Sequence, residues 1–117
     1  MLEIYGIKNC NTVKKALDWL NANQIDYTFH DYKKEPATRE KLESWEKSVN
    51  WESLINKKGT TWKKLSTEEQ AQVVDAHSAN SALLANNSMI KRPLVEVKDE
   101  IILGFDETTY QEKLLKK

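Results

Sequence analysis

The hydrophobic period of this chain changes twice within its first 32 residues, and that change limits the folds open to it. Leu2 to Ile7 is rich in β-branched and aromatic residues and partly alternates, the pattern of a strand. From about Thr12 to Ala22 the period lengthens. Val13, Ala16, Leu17 and Leu20 form a stripe on one helical face, with Asn11 or Thr12 as the candidate cap. Ile25 to Tyr32 returns to period two: Ile25, Tyr27 and Phe29 face one way, Asp26, Thr28 and His30 the other. Strand, helix and strand this close together make a β-α-β unit, with parallel strands and a right-handed crossover.

The middle of the chain reads as helical. Pro36 and Thr38 introduce a helix over Arg39 to Lys47, and Trp51, Leu54 and Ile55 cluster at helical spacing. Gly59 reads as a breaker after Lys57 and Lys58. Ser66 and Glu69 fit a capping box for a helix expected to reach His77, with a further short helix over Ser78 to Asn87. Pro93 then opens a strand, Leu94 to Val97. A turn at Lys98-Asp99-Glu100 feeds Ile101 to Leu103, giving an antiparallel hairpin. Asp106 begins a last helix that ends in Lys-rich residues. The order is β-α-β, a helical insertion at about 37–88, then β-β-α. It predicts an α/β, thioredoxin-like fold with a helical insertion in the middle, as one domain over 1–117.

Composition narrows the function classes. Hydrophobic residues make up 39% of the 117, enough for a core and against disorder. One cysteine cannot form an internal disulfide or a cysteine cluster for metal, and no metal is expected. Eighteen basic residues balance eighteen acidic ones, which argues against a broad nucleic-acid footprint. Glu3 stands where a signal peptide would be basic, and no apolar run has membrane length, so a cytoplasmic protein without a membrane partner is expected. His30 and His77 are far apart, with no metal-ligand spacing around them. Trp19, Trp45, Trp51 and Trp62 are irregularly spaced and read as packing anchors. Nothing marks an oligomer interface, and a monomer is expected.

Two short segments carry chemistry. Cys10 lies between the first strand and the first helix, where unpaired N–H groups favour a thiolate. Lys8, Lys14 and Lys15 add positive potential, and Thr12 can donate a hydroxyl hydrogen bond to the sulfur. The same cysteine also fits a small buried hydrophobe. Val13 stands three residues beyond it, so a two-cysteine thioredoxin cycle is ruled out. Any redox cycle needs an outside thiol, for which glutathione or a glutaredoxin is the natural candidate. The second segment is Lys91-Arg92-Pro93. An X–Pro bond directly before a strand is a candidate for the cis isomer, and in a thioredoxin-like fold this loop faces the cysteine. Arg92 can bind a carboxylate or oxyanion as a bidentate fork; equally, it can be a solvated arginine before a proline that starts an edge strand.

Taken together, Tyr5-Gly6-Ile7-Lys8-Asn9-Cys10, His30-Asp31-Tyr32, Gly59 to Leu65, Ile90-Lys91-Arg92-Pro93-Leu94 and Leu103-Gly104-Phe105 resemble the arsenate reductase (ArsC) family. That family includes the Spx-type regulators, and this chain most resembles its YffB-like branch. The resemblance runs over essentially the whole chain. It implies a thioredoxin-like fold and a cysteine, here Cys10, that attacks an oxyanion. Glutathione and glutaredoxin resolve the adduct, and arginines, among them Arg92, hold the oxyanion. Lys14 matches the basic residue early in the first helix. Other positions depart. The insertion arginine falls on Asn56, the late Arg-Pro on Gly104-Phe105, and the histidine that precedes the cysteine on Gly6.

Three functions follow as expectations. The first is a glutathione-linked thiol oxidoreductase using Cys10, Thr12 and Arg92, with Lys8, Lys14, Lys91, Arg92 and Pro93 around the bound glutathione. The second is a non-enzymatic protein-binding module related to regulators that bind RNA polymerase. The third is an authentic arsenate reductase.

Overall fold

The computed structural model describes residues 2–98 and 100–115. Four strands form one sheet: β1 (Leu2–Gly6), β2 (Tyr27–Asp31), β3 (Leu94–Val97) and β4 (Glu100–Leu103), in the order β2-β1-β3-β4. β1 and β2 are parallel, as a β-α-β unit requires, and are joined by α1 (Asn11–Ala22). β3 is antiparallel to β1 and to β4. Between β2 and β3 lie α2 (Arg39–Trp45), α3 (Thr60–Lys64), α4 (Thr67–Ala71) and α5 (Ala76–Ala85), with short 3-10 turns at Trp51–Leu54 and Asn87–Met89. After β4, α6 (Glu107–Tyr110) continues as a π-helical turn over Gln111–Leu115. This is the thioredoxin-like α/β fold with a helical insertion.

Period-two alternation in the strands sends side chains to two separate cores. Leu2 and Ile4 of β1, Val95 of β3 and Ile102 of β4 pack with Ala16, Trp19, Leu20 and Tyr110 under α1 and α6. Tyr5 and Leu94 point the other way, into a cluster with Tyr32, Leu42, Trp45, Leu54, Leu83 and Ile90 under the insertion. Trp19 and Trp45 are buried, and Trp51 and Trp62 pack half-buried against the insertion core, so all four tryptophans serve as anchors.

Several boundaries move, each for a local reason. α1 begins one residue early because the extended residue before it is Cys10, which is therefore the cap in place of Asn11 or Thr12. β2 is shorter than Ile25 to Tyr32. Gln24 turns the chain with φ 58, and the Ile25 amide donates to the Leu20 carbonyl, closing α1. α2 stops at Trp45, where 3-10-type bonds such as Lys47 N–H to Ser44 O tighten the chain. The helix expected to reach His77 ends earlier, and the helix expected from Ser78 begins earlier. Asp75 and Ser78 form a second, reciprocal capping box that starts α5 at Ala76, and α4 ends at Ala71. Gly59 caps the start of α3 instead of ending a helix. In the hairpin turn Lys98 has φ 53; Asp99, like the terminal Lys116 and Lys117, lies outside the described residues.

Candidate active site

Cys10 and Arg92-Pro93 are 82 residues apart in sequence, and the sheet brings them to one end. β1 finishes at Gly6, and Ile7 to Asn9 carry the chain over to Cys10 at the start of α1. β3 runs back antiparallel to β1 with Leu94 opposite Tyr5, so Pro93 enters beside the end of β1. The Arg92–Pro93 bond is cis.

Cys10 is half-buried and free. Its backbone is extended (φ −114, ψ 124), its carbonyl accepts the first helical bond from the Lys14 amide at 2.9 Å, and its side chain makes no capping hydrogen bond. The sulfur therefore sits at the N-terminus of a 12-residue helix whose first turn carries no acidic residue. A helix start concentrates unpaired N–H groups and positive partial charge, which favours an anion there. Lys8, Thr12 and Lys14 are exposed around it. Gly6, just upstream, is fixed by packing: a Cβ there would lie 2.8 Å from Val13 Cγ2 of α1. The histidine of the family pattern therefore has no room at this position while Val13 keeps its place.

The Arg92 loop is held by the insertion. Ile55 and Ile90 form an isolated antiparallel bridge, the Lys91 amide donates to Leu54 O at 2.7 Å, and the Asn56 amide donates to Met89 O at 2.8 Å. On its other side the Gly104 amide donates to the Pro93 carbonyl at 2.8 Å. Gly104 has φ +78, a left-handed conformation that glycine adopts without strain. Its own carbonyl accepts from the buried Tyr110 hydroxyl at 2.9 Å. Arg92 is half-buried, its Nε buried with no partner among the described residues, and it acts electrostatically on the Tyr32 hydroxyl. Pro93 is buried and Lys91 exposed. Asn56 does not reproduce an arginine fork; its side chain lies against Gly59, where a Cβ would meet Asn56 Nδ2 at 2.8 Å.

A second polar group lies under α2, on the insertion side of the sheet. His30 Nε2 is 2.7 Å from Glu3 Oε1, and His30 Nδ1 is 3.2 Å from Glu35 Oε2. The Tyr5 ring stacks on His30 with centroids 4.5 Å apart. Trp45 Nε1 donates to Glu96 Oε2 at 2.7 Å, and Lys41 Nζ is 3.7 Å from Glu96 Oε1. Burial raises the Tyr5 hydroxyl above its ordinary pKa, against a hydrogen bond with Lys41 that lowers it; the same bond holds Lys41 above the ordinary lysine range. Tyr32 is raised further, chiefly by burial. His30 was visible in the sequence, but its partner Glu3 and the neighbouring Glu96 come from other strands and carry no sequence signal. His77 lies apart, exposed on α5. Among the described residues no three His, Cys, Asp or Glu side chains are grouped to hold a metal, and no helix is long and apolar enough to cross a membrane.

A thioredoxin-like sheet with one cysteine at a helix start and an Arg-Pro pair at the same end defines a thiol-oxidoreductase-like class of α/β protein. The model of the ArsC family matches residues 5–113, and the chain belongs to that family as a YffB-like member. It is similar to the solved YffB (PA3664) protein at 38% identity, over 97% of this chain and 99% of that one, with a TM-score of 0.92. An arsenate reductase (ArsC) related protein from Brucella melitensis is 47% identical over 96% of this chain and 92% of its own, with a TM-score of 0.77. An uncharacterized protein of Haemophilus influenzae is 40% identical over 111 residues, 95% of this chain and 96% of its own.

Proposed function

We propose that this protein is a glutathione-linked thiol oxidoreductase working in the reducing cytoplasm, with Cys10 as its single nucleophile. The observation that carries the reading is the placement of that half-buried thiol at the start of α1, at the sheet end that also bears Arg92 and Pro93. In the first step the Cys10 thiolate attacks the glutathione sulfur of a mixed disulfide. An S–S bond forms to Cys10, the old S–S bond breaks, and the departing thiolate takes a proton from solvent. In the second step a glutathione thiolate attacks the Cys10–glutathione disulfide. Oxidised glutathione leaves and the Cys10 thiolate returns.

The helix start and the Thr12 hydroxyl stabilise the sulfur anion. Arg92 grips a glutathione carboxylate, with Lys8, Lys14 and Lys91 supplying further positive potential and the chain at Pro93 offering backbone pairing. Arsenate is the less favoured substrate. Two arginine positions of the family pattern are Asn56 and Gly104 here, and a charge-assisted hydrogen bond to an oxyanion is worth about 1.5–3 kcal/mol.

The test is intact-mass measurement after exposure to oxidised glutathione, together with Cys10 alkylation at neutral pH. One glutathione adduct, absent from Cys10→Ser and formed more slowly in Arg92→Ala, is expected, with alkylation faster than that of free cysteine. Slow alkylation and no adduct would overturn the reading. Partner binding that survives Cys10→Ser would move the protein to the non-enzymatic binding class, and glutaredoxin-dependent arsenate turnover would restore the reductase reading.

A further inference from the structure

The polar group under α2 lines a cleft of about 320 Å³ between α2 and the β2-β1-β3 face of the sheet. That is near the lower limit for small-molecule sites. Its walls are the rings of Tyr5, Tyr32 and Trp45, and three carboxylates reach it: Glu3, Glu35 and Glu96. Against them stand one lysine, Lys41, and His30. The single His30 ring is shared between Glu3 and Glu35. The cleft is thus rich in acceptors and short of donors.

One further observation points to the kind of ligand. The cleft already receives an ammonium. Lys41 Nζ comes in from an exposed side chain to lie 3.7 Å from Glu96 and 5.4 Å from the Tyr5 ring centroid. Aromatic faces with carboxylates behind them are the chemistry that recognises such a cation. An anion would meet three carboxylates at close range.

We infer that this cleft is a binding site for a small primary amine, whose ammonium takes the place beside Glu96 and Tyr5 now held by Lys41. The inference does not depend on Cys10, so the failure of one reading leaves the other standing.

The probe is n-butylammonium, titrated into the uniformly labelled full chain and followed by two-dimensional amide and indole N–H spectra at constant ionic strength. Saturable shifts of the Trp45 indole N–H and of the Tyr5 and Tyr32 amides, in the millimolar range, are expected. Neutral n-butanol and anionic n-butyrate should leave these signals in place. Lys41→Met removes the resident cation from an exposed position and should tighten n-butylammonium binding about threefold or more. Glu96→Gln keeps an acceptor for the Trp45 N–H but removes a charge, and should weaken binding about tenfold. Shifts produced equally by n-butyrate, weaker binding in Lys41→Met, or no saturable shift in the wild type would each overturn the site.

Discussion

Under α1 and α6 the sheet meets a dry apolar layer, whereas under the insertion it meets a core interrupted by charge. On the first side Leu2, Ile4, Val95 and Ile102 pack with Trp19 and Leu20, and the Tyr110 hydroxyl is satisfied by a backbone carbonyl. On the second side Glu3 and Glu96 stand opposite each other on neighbouring strands. Like charges so placed repel, and the structure gives each its own partners, His30 for Glu3 and Trp45 with Lys41 for Glu96. The same sheet therefore divides its labour by face. One face contributes burial and little else; the other gives up some burial to hold an ordered polar group beside a cleft.

That contrast can be tested by substitution. The largest effect is expected at Trp45. Trp45→Ala should cost about 4 kcal/mol, from the packing it removes and from leaving Glu96 without its N–H donor, against about 3 kcal/mol for Leu20→Ala on the dry side. Urea unfolding of the two variants checks it, and a smaller loss at Trp45 than at Leu20 would mean the polar group adds nothing to that face. Gly6→Ala comes next, at about 2 kcal/mol, because its methyl would press on Val13. Val13→Ala should recover part of that loss in a double-mutant cycle, and additive effects would show that the contact is not the cause.

Smaller still is the effect of removing a cap. The Thr38 hydroxyl accepts from the Lys41 amide, and Thr38→Ala should cost about 1 kcal/mol by thermal unfolding, with Lys41 less well held over the cleft. The smallest effect is an acid-side slope. Hydrogen bonds from Thr109, side chain first and then amide, hold Asp106 below its ordinary carboxyl value of 3.8. Its stabilisation is therefore present above that value and lost as pH falls through the lower folded one. Asp106→Asn should flatten the decline of the urea midpoint below about pH 4, and an unchanged decline would remove Asp106 from the acid response.

How far the sequence revealed this molecule follows the same division. The dry face was legible because period-two and helical stripes report one-sided burial directly, as in Leu2-Ile4 and Val13-Ala16-Leu20. Caps were legible where they followed a familiar spacing, as at Ser66 and Glu69, and not where serine stood in for glutamate, as in the Asp75 and Ser78 pair. Cys10 and Arg92-Pro93 could be picked out because a helix start and an X–Pro pair are local signals. The Glu3, His30 and Glu96 arrangement could not, because strand pairing creates it from residues up to 93 positions apart. In the sequence Gly104 reads only as an absent arginine; its positive φ and its amide on the Pro93 carbonyl give it a positive role in holding the loop.

The ladder between Leu54 to Asn56 and Met89 to Lys91 also bears on how the chain tolerates change. It brings the two ends of the segment from 57 to 88 together, like the clasp of a cassette, while α5 within it stays anchored in the core through Ala79 and Leu83. Alterations confined to α3 and α4, neither of which contains a fully buried residue, leave the clasp at Arg92 in place. An engineer could shorten α3 or α4, or replace them, without redrawing the thiol end of the sheet. A single proline at Asn56 or Lys91, by removing a clasp N–H, would loosen the cassette and the arginine together.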